Sequence, residues 1–428
     1  MAQDGPHSQT IAVIGGGIAG ITAALEAAET GYDVILIEKE PALGGRVTRL
    51  NRYFPKFCHP TCGLEINYQR IRKLHPRLKV LTMHEVVAVE GEKGNYVIRA
   101  KKLPRFVNEK CTACGECAKV CETEIDDPYN YGLGKVKAAR LPHEHAFPMR
   151  YVIDPAVKGT EDEQRIQEAC KYGAVDFSET EEEVELNAGA IIWATGWKPY
   201  DARKLETYHY DSSPDIINNV EMERLANHDG PTEGRVVRPS NGEPAKKVAL
   251  IQCAGSRDVN HLPYCSMICC LASLKHAAYV LEQYEDAEVH MYYIDIRAHD
   301  KMQTFYERIK VDPRLKFIKS KPAEIGLGED GRPYVKGELM VREDSPERQL
   351  YCESYDLVVL ATGMEPEARG IDIRGDVVKD EDGFVLAIEG EEGGQFSCGV
   401  AAGPFDVALS TMSGTAAALK AIQAVGAR

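Results

Sequence analysis

The stretch IAVIGGGIAGITAALEAAETGYDVILIE, residues 11 to 38, constrains the fold more than any other part of the chain. An apolar strand enters a glycine turn, an alanine-rich helix follows, and a second apolar strand ends in an acid. Gly15, Gly17 and Gly20 make GxGxxG, a spacing that allows a tight turn and lets a pyrophosphate sit on the helix N-terminus. Glu38 lies where a carboxylate accepts hydrogen bonds from a ribose diol. Strand, helix and distal acid together predict an α/β fold whose first βαβ unit holds a dinucleotide. A βαβ unit without a ligand is the alternative.

At 428 residues the chain is too long for one small core, so two or three domains are expected. A net charge of −15 argues against nucleic acid as a partner, because no basic stripe is present to neutralise phosphates, and the 20 tyrosines are not interleaved with a basic patch. The start MAQDGPHSQT lacks the basic and apolar regions of a signal peptide, and no apolar run is long enough for a membrane span, so a cytoplasmic location is expected. The 13 cysteines are odd in number and clustered, which suits metal ligation better than a disulfide framework. Isolated cysteines such as Cys352 and Cys398 read as small buried thiols.

After the acid, EKEPALGGRV places the turn Gly44-Gly45-Arg46, and AIIWATG (190 to 196) and LVVLATG (357 to 363) repeat one strand-end pattern. These features resemble the two-dinucleotide-binding flavoproteins, which favours FAD over NAD at the first site. The resemblance implies that the glycine loop approaches the FAD pyrophosphate and that each ATG ends a strand where the chain crosses between domains. Lys39, Val86, Ala194, Thr195 and Gly196 join the expected flavin contacts. Near the end, FSCGVAAGPFDVALSTMSGTAAALKAI reads as a short strand, a turn and a long helix. In such flavoproteins this helix points its N-terminus at the isoalloxazine carbonyl, which places Gly403, Asp406 and Val407 at the turn. The usual Gly-Asp of that motif is absent.

KKVALIQCAG, residues 246 to 255, reads as the first strand of a second Rossmann-like unit, with a helix near 264 to 284 and a strand EVHMYYIDI after it. In place of a second GxGxxG stand QCAGSRD and PYCSMICC, giving Cys253, Cys265, Cys269 and Cys270. Cys265 and Cys269 lie one helical turn apart and can share a face, while Cys253 ends a strand. Four converging thiolates could enclose a [4Fe-4S] cube; zinc is the next reading, and buried thiols at a helix–sheet contact the plainest.

The combination of IGGGIAG, LGGRV, CTACGEC, ATGWKPYD, QCAGSRD with PYCSMICC, and YIDIRA resembles the A-type component of heterodisulfide reductase. That resemblance implies a cluster on Cys253, Cys265, Cys269 and Cys270 close to the FAD. The chain lacks the extended N- and C-terminal ferredoxin segments of the methanogen form. Its compactness is similar to the shorter subunit of the heterodisulfide-reductase-like complex of sulfur-oxidising bacteria.

Between Lys101 and about Leu186 the flavin domain is interrupted. RFVNEKCTACGECAKVCETE resembles one ferredoxin half, a short strand and a cysteine loop opening a helix. YVIDPAVKGTEDEQRIQEACKYGAVDFSE resembles a second half that keeps only its last cysteine. In two-cluster ferredoxins each cube takes three close cysteines from one half and the last from the other. The first cube then uses Cys111, Cys114, Cys117 and Cys170, and the second, which would need Cys121 and three absent thiolates, is lost. A local site of Cys111, Cys114, Cys117 and Cys121 is the competing reading, and a module without a cluster another. Neither Cys121 nor Cys170 precedes the usual proline.

Cys58 and Cys62 in FCHPTC are weak candidates for a catalytic dithiol, since disulfide reductases use a longer spacing nearer the glycine loop. Asp295 and Arg297 read as interface residues or a solvated pair. The expected architecture is a thioredoxin-reductase-like flavoprotein with two Rossmann-like domains and a ferredoxin-like insert. Its boundaries are an FAD domain at 1–100, the insert at 101–186, a return and connector at 187–215, the second Rossmann-like domain at 216–355 and the last FAD part at 356–428. The resemblance implies an oxidoreductase that passes electrons between FAD, one or two [4Fe-4S] clusters and B-like and C-like subunits, as a homodimer. A sulfur substrate on a lipoate-binding protein and NAD+ as acceptor are further expectations of the sulfur-oxidiser version. The alternatives are a stand-alone NAD(P)H-dependent disulfide oxidoreductase and a non-catalytic electron-relay and assembly subunit.

Overall fold

Short strands made of Ile, Val, Leu and Ala can be covered on both faces only in a parallel sheet flanked by other layers. The computed structural model describes residues 8–54, 57–299, 301–340, 349–387 and 393–426, and it is built on two such sheets. The first seven residues, on which the reading of an absent signal peptide rests, lie outside the described residues.

In chain order the elements used below are β1 (Ile11–Ile14), α1 (Ile18–Glu29), β2 (Val34–Ile37), α2 (Thr61–Lys73), β3 (Leu78–Leu81), β4 (His84–Glu92) and β5 (Asn95–Lys102). They continue with α3 (Glu116–Val120), α4 (Glu161–Ala169), β6 (Glu182–Ala188), β7 (Ala190–Trp193), β8 (Ile216–Asn218), α5 (Asn219–Leu225), β9 (Lys247–Ala254) and α6 (Cys269–Gln283). The last are β10 (Glu288–Tyr293), α7 (Met302–Ile309), β11 (Leu315–Lys319), β12 (Leu357–Thr362), β13 (Gln395–Ser397) and α8 (Val407–Val425). The chain packs as two units: Met1–Thr48 with His59–Trp197 and Pro366–Arg428, and Arg49–Cys58 with Lys198–Glu365.

The first unit holds a parallel sheet in the order β13-β7-β1-β2-β3. One face is covered by α2 and by α1 and α8, and the alanines of the last two let them approach closely around Ile11, Val13, Leu25 and Ile192. The other face, with Ala12, Ile14, Ile191 and Trp193, packs against Val86, Ile98 and Ala100 of an antiparallel sheet built from β6, β5 and β4. Trp193 buries its ring by donating Nε1–H to Gln395 Oε1 at 2.9 Å.

β5 and β6 pair antiparallel with Lys102 opposite Glu182, so the chain leaves this sheet and re-enters it at one place. The excursion between them has its own core of Phe106, Val107, Ile153, Val157, Ile166 and Phe177. The strand expected at RFVNEK is reduced to a single bridge, Val107 to Val175. Arg105, 4% exposed, ties the excursion down by donating to the carbonyls of Pro41, Arg150 and Tyr151 at 2.6–2.8 Å.

The second unit holds a parallel sheet in the order β8-β12-β9-β10-β11, with α6 lying against β9. The helix expected near 264 begins only at Cys269. Met267, at φ +66°, sits in a left-handed turn that a helix cannot continue through. Cys352 corrects the buried-thiol reading: it lies on the open side of the antiparallel strand Leu350–Ser354 and is exposed, whereas Cys398 is fully buried.

Candidate cofactor sites

The first site grows from the turn after β1. Gly15 has φ +111°, and a Cβ there would lie 2.2 Å from the carbonyl oxygen of Ala194, so no other residue fits. Gly20 permits equally close passage, since a Cβ would meet Gly15 O at 1.9 Å. Gly17, by contrast, faces open space. It begins α1, whose N-terminus has no side-chain cap and no acid in its first turn. Those N–H groups and the helix dipole are therefore available to an anion.

Glu38, at the end of β2, accepts from Gly16 N at 2.6 Å and Glu40 N at 2.8 Å. Burial pushes its carboxyl up to about 7, against the opposing effect of those two N–H donors. Gly44 N donates to Gly16 O at 2.8 Å, which brings the Gly44-Gly45-Arg46 loop onto the glycine turn. Arg46 donates to the carbonyl of Trp197 at 2.6 Å and its guanidinium lies over the rings of Tyr131 and Trp197. Lys39 instead pairs with Glu367 at 3.0 Å. Ala194 and Gly196 flank Thr195, whose hydroxyl is buried without a hydrogen-bond partner. Open space at Gly17, an uncapped helix and an orphaned hydroxyl fit a dinucleotide bound over this turn.

The remaining expected flavin residues are Val86 and those of the turn before α8. The Val86 side chain is buried in the core between the sheets, which leaves only its backbone for a ligand. Asp406 caps α8, accepting from Leu409 N at 2.8 Å, with Val407 as the first helical residue and Gly403 in the turn before it. The N-terminus of α8 is thus partly satisfied by its own side chain, unlike that of α1.

In the excursion, Cys111, Cys114, Cys117 and Cys170 line one open recess together with Tyr151 and Tyr172. Backbone N–H groups point at its sulfurs, Ala113 N to Cys111 Sγ at 3.4 Å and Ala174 N to Cys170 Sγ at 3.3 Å. Burial, reinforced by Cys111 and Cys114, pushes the Cys117 thiol up to about 12. Mutual repulsion of this kind is relieved when the thiolates share a cationic metal centre. Cys121 does not line the recess. It is buried, and its thiol donates to Asp162 Oδ2 at 3.7 Å and Thr123 O at 3.5 Å.

In the second unit Cys253 ends β9 beyond a register shift, with φ +55°, while Cys265 lies before α6 and Cys269 and Cys270 open it. Burial and the neighbouring Cys270, Cys253 and Cys265 push the Cys269 thiol well up, so the four charges sense one another. Gln252, beside Cys253 in the chain, is 2% exposed and leaves both amide atoms without a partner. Among the described residues no three cysteine sulfurs lie within 4.8 Å of one another. A tetrahedral tetrathiolate zinc needs edges of about 3.8 Å. The donor set fits a larger centre that thiolates hold, an iron–sulfur cube.

Asp295 does more than the sequence suggested: its carboxylate accepts from Arg257 at 2.6 Å and from Arg297 at 3.4 Å, and its carbonyl lies 3.8 Å from Cys270 Sγ. Cys58 and Cys62 are both free thiols, Cys62 exposed. The sequence reading missed a buried network on α6, the helix that Cys269 and Cys270 open. Glu223 accepts from Lys275 at 2.8 Å and from His276 at 2.6 Å, all three almost wholly buried. Burial alone would raise the Glu223 carboxyl, but Lys275 and His276 outweigh it and hold it at about 2. Isolated Glu, Lys and His in helical patterns carry no signal of such pairing.

Residues 10–110 match a family model described as FAD dependent oxidoreductase. The chain is 39% identical to the A component of the ferredoxin/F(420)H(2)-dependent CoB-CoM heterodisulfide reductase of Methanosarcina acetivorans, over 99% of this chain and 54% of that one. It is also 39% identical to the second iron-sulfur A component of the CoB--CoM heterodisulfide reductase of Methanopyrus kandleri, over 97% of this chain and 64% of that one. The chain therefore spans between half and two thirds of the length of these relatives. Thioredoxin reductase from Lactococcus lactis superposes with a TM-score of 0.54 at 14% identity, covering 97% of this chain and 99% of that one. The enzyme from T. acidophilum gives 0.53 at 13% identity, over 97% and 98%. The fold is thus thioredoxin-reductase-like, and the resemblance to the A component of heterodisulfide reductase extends over nearly the whole chain. Residues 10–110 are thus similar to the FAD dependent oxidoreductases. No helix among the described residues is long and apolar enough to cross a membrane.

Proposed function

We propose that this chain is the flavin and iron–sulfur electron-transfer subunit of a heterodisulfide-reductase-like complex. The observation that carries the reading is the recess that gathers Cys170 with Cys111, Cys114 and Cys117, and leaves Cys121 out, in the same packing unit as the glycine cradle. FAD accepts electrons in pairs and releases them singly, whereas a cubane passes one at a time, so a chain holding both joins two-electron to one-electron chemistry.

In this reading α1 and the Gly44-Gly45 loop hold the pyrophosphate, Glu38 accepts from the ribose hydroxyls, and Thr195 supplies a donor to the bound ligand. Cys111, Cys114, Cys117 and Cys170 bind one cluster in a ferredoxin-like insert, with Ala113 N and Ala174 N stabilising its thiolates. Cys253, Cys265, Cys269 and Cys270 bind the other. The partners are subunits similar to heterodisulfide reductase B and C, and the chain itself pairs as a homodimer. The substrate class is a thiol, disulfide or other reduced sulfur group, with a lipoate-bearing carrier as its source and NAD+ as the acceptor.

Flavin, iron and acid-labile sulfide are to be measured on the full chain purified without oxygen. FAD with iron and sulfide in equal amounts is the expected result; zinc without sulfide would refute it. In the native complex, NADH should reduce the flavin only when the partner subunits are present. Reduction of the isolated chain that depends on Cys62 would point instead to a stand-alone disulfide reductase.

A further inference from the structure

The chain beyond β9 doubles back on itself. Cys253 and Arg257 both adopt left-handed backbone conformations, at φ +55° and +56°, which L-residues rarely take and which persist only where the surroundings enforce them. The enforcement is visible. Gly255, at φ +79°, lies so close to the Tyr200 ring that a Cβ would approach it to 2.5 Å. Arg257 N donates to Tyr264 O at 3.1 Å, Leu262 N to Gly255 O at 3.0 Å, and the hydroxyls of Ser256 and Ser266 meet at 3.2 Å. The turn carrying Cys253 is thereby pinned to the loop carrying Cys265.

This reversal brings the Arg257 charge to bear on the Cys253 thiol, against the upward push of burial. Its Nη1 donates to Asp295 Oδ1 at 2.6 Å, just beyond β10, where the Asp295 carbonyl lies against Cys270. Arg257 is therefore held by the strand-end turn and by the loop after β10, between the segments that carry Cys253 and Cys270. A lysine has the charge but not the planar fork that fixes its place.

We infer that Arg257 is a positioning residue that sets the reduction potential of the cluster site in the second unit, by fixing a positive charge between the segments that carry Cys253 and Cys270. The inference rests on the proposal that these four cysteines bind a [4Fe-4S] cluster. The reduced form of such a cluster carries one more negative charge than the oxidised form, and nearby charge sets its potential. Removing the charge disfavours the reduced form.

The test is a redox titration followed by electron paramagnetic resonance on the full chain, purified without oxygen, reading the signal that Cys253→Ser abolishes. Arg257→Met should change the oxidised-to-reduced ratio at fixed potential at least tenfold toward oxidised, a midpoint lower by about 59 mV for a one-electron couple. Arg257→Lys should recover at least half of that shift. An Arg257→Met chain with full iron and flavin and an unmoved midpoint would overturn the assignment, as would equal shifts in the Met and Lys variants. If Arg257→Met fails to retain iron, Arg257→Gln is read by the same criteria. Iron content unchanged by Cys253→Ser would instead bring down the cluster proposal itself.

Discussion

The two cysteine sets use the same ligand type but are built by opposite means. In the excursion, three cysteines come from one short loop and the fourth from 53 positions beyond Cys117, and all four face an open recess with Cys114 exposed. In the second unit, three of the four are buried at a strand end and a helix start, on a backbone forced into left-handed turns, and α6, which begins at Cys269, is anchored further along by the buried Glu223 network. The first set is held by loop spacing and local backbone donors. The second is held by tertiary packing, so changes far from its sulfurs should be felt there and not in the recess.

The largest effects come from the ligands themselves. Cys269→Ala and Cys170→Ala should each remove one cubane's worth of iron, measured against flavin; iron retained in Cys170→Ala but lost in Cys121→Ala would replace the recess set with the local CxxCxxCxxxC site. Next is Glu223→Gln, which leaves Lys275 buried opposite a neutral amide and should destabilise the chain by about 3–5 kcal/mol in urea unfolding. Its iron loss should be confined to the signal that Cys253→Ser abolishes. A third expectation concerns access. A ferrous chelator should strip iron in two phases, several-fold faster from the recess, and Cys170→Ala should abolish the fast phase; a single phase would erase the contrast between open and braced sites. The smallest effect is that of Cys121→Ala. With iron unchanged, it should cost about 1–2 kcal/mol through the lost contact of a buried thiol with Asp162.

Much of this was legible in the chain. The glycine spacing, the run of apolar residues and the acid at Glu38 define β1, α1 and β2, because a parallel strand buried on both faces needs continuous apolar sequence and the turn needs Gly15. The long alanine-rich α8 and the turn before it were equally plain. The placement of Cys265 was not: a spacing of four reads as one helical turn, yet the left-handed Met267 breaks the helix before Cys269. Cys352 misled for a related reason, since alternation on an antiparallel strand decides its exposure and an isolated cysteine does not reveal its face.

By itself the sequence determined the dinucleotide turn, the two parallel sheets and the inventory of thiols, because these depend on local backbone freedom and on periodicity along the chain. Only the tertiary structure decided which thiols meet. Cys170 joins Cys111, Cys114 and Cys117 because the excursion folds on its own core, and Cys121 is turned inward to Asp162 by that same packing. Arg257 reaches Asp295 beside Cys270 because Tyr200 and the paired serines enforce a reversal that no local propensity favours. Contacts between residues distant in sequence follow from how apolar surfaces bury one another, and spacing along the chain does not record that.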